Sequence, residues 1–442
     1  MENMMDNSLD KKIDAKTLIT FALPSIIMMV FLSVYTIVDG VFISKLVGTD
    51  ALSAVNIVYP VIALLMAIST MIGTGGNAIV SRKLGEQKTE EARKDFSMLV
   101  YTVIFLGVTL SILSLIFIKP IILFLGANAA IYEYCEIYAM IMLIFTPALL
   151  LAMLFQILLV TAGKGHLGLI LTVLGGVANM VLDYVFISTF DMGIAGAALA
   201  TGIGYCITGI SGLVYFIFAR KNVLHLVKPH FHADLFKDTC INGSSEMVST
   251  LSGSIITLAF NNILMRIAGV DGVAAITVIL YLQMLLAAVY MGYAMGISPL
   301  IGYNYGKKDE MNLKSIFKIS IITISIISAA VLMFGVFKAG FLAAIFTHRG
   351  TNVFNLAESG LRLFSVSFLF SGINIFASSM FTALSNGKVS AIISFVRTLA
   401  FQLICLYTLP IFLGINGVWL AIPVAELLSL IVSVYFIRKY RI

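Results

Sequence analysis

The stretch LGLILTVLGGVANMVLDYVFISTF, Leu167–Phe190, decides the fold. It is apolar for longer than the ~20 residues a helix needs to cross a bilayer, yet it holds a carboxylate, Asp183. A second stretch, LITFALPSIIMMVFLSVYTIVDGVFIS (Leu18–Ser44), holds Asp39 in the same way. A carboxylate inside such a run is costly, so by default it faces a cavity and serves an ion or proton pathway.

Outward from these two runs, the chain of 442 residues is 60% hydrophobic and 11% charged, with mean hydropathy +1.04. A soluble domain carries about 25% charged residues, so this is an all-α polytopic membrane protein. The net charge of +6 does not indicate a nucleic-acid partner, because the basic residues fall in short loops. Cys135, Cys206, Cys240 and Cys405 lack metal-ligand spacing and read as apolar fillers. The polar N-terminus, MENMMDNSLDKKIDAK, lacks the layout of a cleavable signal peptide.

Apolar runs separated by Gly, Asn or charged breaks give twelve spans. They cover 17–44, 53–80, 96–118, 131–160, 167–190, 194–218, 240–268, 273–300, 314–337, 358–384, 389–412 and 415–437. Alternate loops on one side carry Lys11, Lys12, Lys16, Arg82, Lys83, Lys88, Arg93, Lys94, Lys164, Arg220, Lys221, Lys228, Lys237, Lys307, Lys308, Lys314, Lys318, Lys388, Arg438, Lys439 and Arg441. The other side has Lys45, Lys119, Arg266, Lys338 and Arg349. That asymmetry puts both termini in the cytoplasm, as an even span count requires. The expected location is a membrane facing the cytoplasm, crossed many times; the resemblance given below implies that it is a bacterial cytoplasmic membrane.

The halves repeat at an offset near 221 residues. LVGTDALSAV (Leu46–Val55) aligns with IAGVDGVAAI (Ile267–Ile276), and MGIAGAALA (Met192–Ala200) with LGINGVWLA (Leu413–Ala421). Gly85 and Gly306 align as well. Six spans per half make the repeat parallel, with its pseudo-two-fold along the membrane normal. The expected organisation is an N-terminal lobe at 1–219, a cytoplasmic linker at 220–239 and a C-terminal lobe at 240–442.

From the rise of 1.5 Å per residue, Asp39 lies roughly 13 Å below the outer end of its span, and Asp183 and Thr201 roughly 12 Å. Asn179 stacks one turn from Asp183, and Tyr138 falls near this level. Hydrogen bonding between helices would explain Asn179 and Thr201 alone. Two carboxylates require more. Desolvation and mutual repulsion both favour the protonated form, as proton coupling needs; alternatively the same oxygens ligate Na⁺, a hard cation. No other metal site and no cofactor is expected.

The second lobe has Phe260 in place of Asp39 and Ile422 in place of Thr201. Glu246, early in the seventh span, is a candidate cavity-lining group, with an interfacial position as its alternative. Arg397 and Glu426 read as a structural pair, and Glu358 with Arg362 as a surface pair. Tyr35, Tyr138, Phe155, Met284 and Met291 are candidates for a cavity of soft side chains that accepts many ligand shapes. Pro24 removes a backbone bond from the first helix and lets it bend.

ALPS at Pro24, VDGVFISKLVG around Asp39, TGGNAIVSRKLGEQ, NMVLDYVFI and GIAGAALATGIG together resemble the multidrug and toxic compound extrusion (MATE) family, over essentially the whole chain. GSSEM in the seventh span resembles the bacterial MepA-like branch. The resemblance implies a secondary antiporter that exports cationic, amphipathic drugs in exchange for H⁺ or Na⁺ by alternating access. It also implies two six-helix lobes around a V-shaped cavity, with Asp39, Asn179, Asp183 and Thr201 as the first-lobe cation positions and Pro24 as the bending proline. Ser371 and Asn374 stand where some members carry an acid, so a second-lobe cation site is not expected. The expected partners are small organic cations and membrane lipid, with no nucleic acid, and the expected state is a monomer. A flippase for a lipid-linked precursor is the alternative; it would need several cavity bases for pyrophosphate, and Arg397 alone lies deep. A membrane enzyme is disfavoured by the lack of HExxH, GxSxG or DxD motifs. A channel is disfavoured by the repeat and the one-lobed acidic site.

Overall fold

The computed structural model describes residues 9–10 and 13–440; Lys11, Lys12 and Arg441 of the charge pattern lie outside them. Among the described residues, ten single helices have the length and hydropathy to cross a bilayer, and a bent pair makes an eleventh. One of the ten, Ala233–Gly306, has 74 residues. At 1.5 Å per residue it would be roughly 111 Å long, against a hydrocarbon core of ~30 Å. It is two helices divided at Gly269, which has φ 62° and ψ −151°, a conformation reserved for glycine. Past that turn the chain doubles back. A Cβ on Gly272 would lie 3.3 Å from Leu264 O, eight residues earlier, a separation of about 12 Å along a straight helix.

The twelve spans are α1 (Ala15–Val47), α2 (Asp50–Gly85), α3 (Thr89–Ile116), α4 (Tyr132–Ile144 with Thr146–Thr161), α5 (Gly165–Thr189), α6 (Gly193–Phe218), α7 (233–268), α8 (270–306), α9 (Glu310–Phe337), α10 (Asn352–Ala383), α11 (Gly387–Leu413) and α12 (Ile415–Lys439). α7 starts at Ala233, so the segment between lobes is shorter than the 220–239 expected from hydropathy. α4 bends by 58° just before Pro147. Proline lacks the N–H that would bond Leu143 O; Ser111 Oγ of α3 donates to that carbonyl instead, at 2.6 Å. Side chains cap other starts: Asp14 accepts from Thr17 N at 2.7 Å and Asp309 from Asn312 N at 3.0 Å.

The repeat is visible in the turns. Gly48 and Gly269, Gln87 and Lys308, and Gly193 and Gly414 are pairs of positive-φ residues, each 221 positions apart. The short helices Ile118–Phe124 and Ala339–Phe346 also start 221 apart. The two lobes meet on that symmetry. Asn77 Nδ2 of α2 donates to Ser298 Oγ of α8 at 2.9 Å across a separation of 221 residues. Gly85 abuts Tyr303 O, and Gly306 abuts Arg82 O, the reciprocal contact. Side α1 joins the same seam: Gly292 leaves room for Ile26 and Gly296 for Ala22. Gly75 against Thr239 and Gly243 against Met71 repeat this between α2 and α7. All these contacts lie on the side of the chain termini.

Candidate cation site

The site is set by how close α5 comes to its neighbours. In the pair Gly175–Gly176, each glycine serves a different helix. A Cβ on Gly175 would lie 2.7 Å from Gly204 O of α6, and one on Gly176 would lie 2.6 Å from the Phe31 ring of α1. Small residues of this kind let membrane helices approach closely. One to two turns further on, the same faces carry Asn179 and Asp183 toward α6 and α1.

There the predicted residues assemble. Asp183 and Asn179 are 0% and 1% exposed, Thr201 is buried, and Asp39 is partly buried. Asn179 Nδ2 donates to Thr201 Oγ1 at 3.1 Å, and Thr201 Oγ1 donates to Ala197 O at 3.0 Å. The Asp39 and Asp183 carboxyls lie within hydrogen-bonding reach of each other. Yet Asp39 Oδ1, both Asp183 oxygens and Asn179 Oδ1 receive no hydrogen bond from any described donor. The two statements are compatible because ionised carboxylates only accept; a bond between them requires a proton on one. Four buried acceptors thus face a space without a protein donor. Leaving such groups unpaired costs several kcal/mol.

The backbone is irregular at the same places. A π turn, Ile43–Val47, follows Asp39, and another, Tyr184–Thr189, follows Asp183. A third, Val396–Ala400, contains Arg397. Each described π turn therefore adjoins a charged residue deep in a span, in keeping with the frequency of π-bulges at functional sites.

The second lobe resolves its buried acid differently. Glu426 is fully buried and stands where Tyr205 stands in the first lobe, 221 positions earlier. Arg397 Nε donates to its two oxygens at 2.9 and 3.1 Å, and Asn374 Nδ2 donates to Oε2 at 2.7 Å. Ser433 Oγ completes the network by donating to Asn374 Oδ1 at 2.9 Å. Glu426 therefore has a permanent cation supplied by the chain, whereas no described Lys or Arg pairs with Asp39 or Asp183. Ser371, beside this network, has an unpartnered hydroxyl.

Tyr35 and Tyr138 lie close enough to Asp39 and Asp183 to interact with them electrostatically. Tyr205 does so with Asp39; it escaped the sequence reading, although it lies one turn from Thr201 on α6. Phe155 is corrected: it is fully buried and stacks on Phe216 at 5.6 Å, against Gly212. Its ring fills the α4–α6 contact and lines no cavity. Glu246 is half-buried, near Arg397 electrostatically but in no ion pair among the described residues. Met284 is half-buried and Met291 exposed. Pro24 lies within one continuous helix, Ala15–Phe42, and packs near Gly165. Glu358 and Arg362 pair at 2.7 Å on the surface. Among the described residues no His, Cys, Asp or Glu cluster of three could hold a metal.

Comparison with known proteins gives a consistent result. The MatE family matches residues 24–185 and 247–408, one stretch per lobe. The multidrug export protein MepA of Staphylococcus saprophyticus is 26% identical over 434 residues, covering 96% of this chain and 94% of that one. A solved outward-facing conformation of a multidrug resistance MATE family transporter of the MOP superfamily is 26% identical, with TM-score 0.93, covering 99% of this chain and 98% of that one. A MOP superfamily transporter from Pyrococcus furiosus, described as having a binding pocket of reverse polarity that suggests a different function, is 25% identical with TM-score 0.92, covering 99% and 98%.

Proposed function

The chain belongs to the MatE family, and from that premise we propose that it is a secondary antiporter. It exports cationic, amphipathic compounds in exchange for H⁺ or Na⁺. The observation that carries the reading is the set of buried, donorless oxygens on Asp39, Asp183 and Asn179. Such a set is stable when a cation or proton occupies it and unstable when empty, so its occupancy can drive a change of conformation. The names of the relatives, multidrug export proteins and a multidrug resistance transporter, support the substrate class. The termini face the cytoplasm, as the basic loops indicate. The lobes join at that side, around Asn77 and Ser298, and on this reading they part toward the opposite side.

In the cycle, a cation from outside binds Asp39 and Asp183. It cancels one of the pair's two negative charges and weakens the attraction that held a cationic substrate in the cavity between the lobes. α1 carries both Asp39 and Pro24, so a bend at Pro24 would move the carboxylate relative to α5 and couple occupancy to the lobe seam. Coupling rests on the first lobe alone, because Glu426 is already neutralised by Arg397. That pairing also weighs against a lipid-precursor flippase: the one deep base is committed to a carboxylate and is not free for pyrophosphate. The test is dye transport in everted vesicles with a pH gradient and a Na⁺ gradient imposed separately. Either gradient alone driving ethidium transport supports the proposal; no transport under either refutes it.

A further inference from the structure

Asn77 and Ser298 are repeat equivalents, 221 positions apart, and their side chains bond to each other. Under a two-fold, a residue meets its own equivalent only on the axis. The contacts of Gly85 with Tyr303 O and of Gly306 with Arg82 O exchange under the same offset, so they flank that axis. The axis runs along the membrane normal between the lobes, which is also the line a substrate follows through a repeat of this kind. The Asn77–Ser298 bond therefore lies across that line.

Its depth follows from helical rise. Asn77 and Ser298 each stand eight residues before the terminal-side ends of α2 and α8, at Gly85 and Gly306, about 12 Å along the helix. Asp39 stands 24 residues after the start of α1 at Ala15, about 36 Å along it. The bond thus separates the level of the cation site from the terminal side.

The chemistry suits a contact that opens. Asn77 and Ser298 are 2% and 3% exposed. Thr161 Oγ1, also buried, donates to Asn77 Oδ1 at 2.8 Å and fixes the amide. Around them the lobes meet through Gly75, Gly243, Gly292, Gly296 and Gly302, which bury no side chain of their own. Large apolar side chains here would hold the lobes together by their burial. A hydrogen bond instead exchanges with water at little net cost. Parting the lobes leaves an amide and two hydroxyls that water satisfies.

We propose that Asn77, Thr161 and Ser298 form the terminal-side gate of the transport path, closed in this conformation, and that they line a hydrated path when the lobes part on that side. The proposal rests on the antiport reading for what passes the gate. Its test reads distances alone, so its failure would leave that reading standing.

The test is double electron–electron resonance on the full chain in lipid nanodiscs, with the four native cysteines replaced by alanine. One spin-labelled pair, at Lys88 and Glu310, spans the lobes on the terminal side; another, at Lys119 and Lys338, spans them on the opposite side. All four positions are exposed. Asn77→Ala removes a bond from the joined state and nothing comparable from the parted one. The fraction with a long 88–310 distance should rise roughly fivefold, the weight of one neutral hydrogen bond, and the 119–338 distance should shorten in that same fraction. Ser298→Ala should act alike, and it carries the test if Asn77→Ala does not fold. Asn77→Ser with Ser298→Asn should return both distributions toward the wild type, because partners on the axis can be exchanged. Unchanged 88–310 distances in both alanine variants, a longer 88–310 distance with no shortening at 119–338, or no recovery in the exchanged pair would each overturn the proposal.

Discussion

Asp183→Asn separates ion coupling from folding more cleanly than any other single change. The carboxylate is fully buried, neither oxygen has a protein donor, and Asp39 lies within hydrogen-bonding reach. Replacing it with an amide of equal size removes one of two unit charges available to a bound cation. At about 4 Å and an effective dielectric near 20, one such charge contributes ~4 kcal/mol. At ~1.4 kcal/mol per decade, cation affinity should fall on the order of a thousandfold. The retained amide oxygen makes this an upper figure, with about a hundredfold as the floor. Stability should move the other way. The new N–H₂ can donate to Asp39, giving an orphaned acceptor a partner, and an unsatisfied buried group costs ~1–3 kcal/mol. The variant should therefore insert, unfold in detergent at the wild-type temperature or above, and lose gradient-driven ethidium efflux in vesicles. Cation-dependent thermal stabilisation, which follows site occupancy, should vanish with it. Near-normal efflux would refute the reasoning. So would lost efflux accompanied by a lower unfolding temperature, because the defect would then be structural.

Three further outcomes follow from the same geometry. Asp39→Asn should abolish driven efflux as fully as Asp183→Asn, and the double variant should be little worse than either, because residues acting as a unit are not additive; this is read in the same vesicle assay. Arg397→Met should lower stability by ~3–5 kcal/mol by leaving Glu426 buried and unpaired, whereas Arg397→Met with Glu426→Leu should recover most of the loss, measured as a double-mutant cycle of denaturation in detergent. Single cysteines at positions 88 and 228 should label only from the cytoplasm and one at position 119 only from outside; opposite labelling at 88 and 228 would contradict the parallel repeat.

The sequence and the structure diverge for identifiable reasons. The level shared by Asp39, Asp183, Asn179 and Thr201 was legible because helical rise converts residue number into depth. The repeat was legible because its turns need glycine or another residue tolerant of positive φ. Hydropathy placed α7 seven residues late and cut α2 short at 80, because it stops at charges such as Arg82 and Asp234 although the helices continue beyond them. The π turns depend on hydrogen-bond register, which leaves no mark in side-chain type. Phe155 misled because an aromatic residue at cavity depth has the same composition whether it lines a space or fills a helix contact; Gly212, which makes room for its ring, lies 57 residues away. The bend in α4 was encoded by Pro147, but its partner for Leu143 O, Ser111, comes from another span. The neutralised second-lobe acid was foreseen from Arg397 and Glu426, while the role of Asn374 within it needed three dimensions.

The central claim is that the acceptor oxygens of Asp39, Asp183 and Asn179 form an exchangeable cation site that opposes substrate. Its most direct test is ion release on substrate binding, with ethidium added to purified protein in detergent. Proton release is followed with an indicator in weak buffer, and Na⁺ release with a Na⁺-sensitive dye. The account predicts that the wild-type chain releases one of the two ions and that Asp183→Asn binds ethidium with no release. Substrate binding without release of either ion in the wild-type chain, or undiminished release in Asp183→Asn, would contradict it.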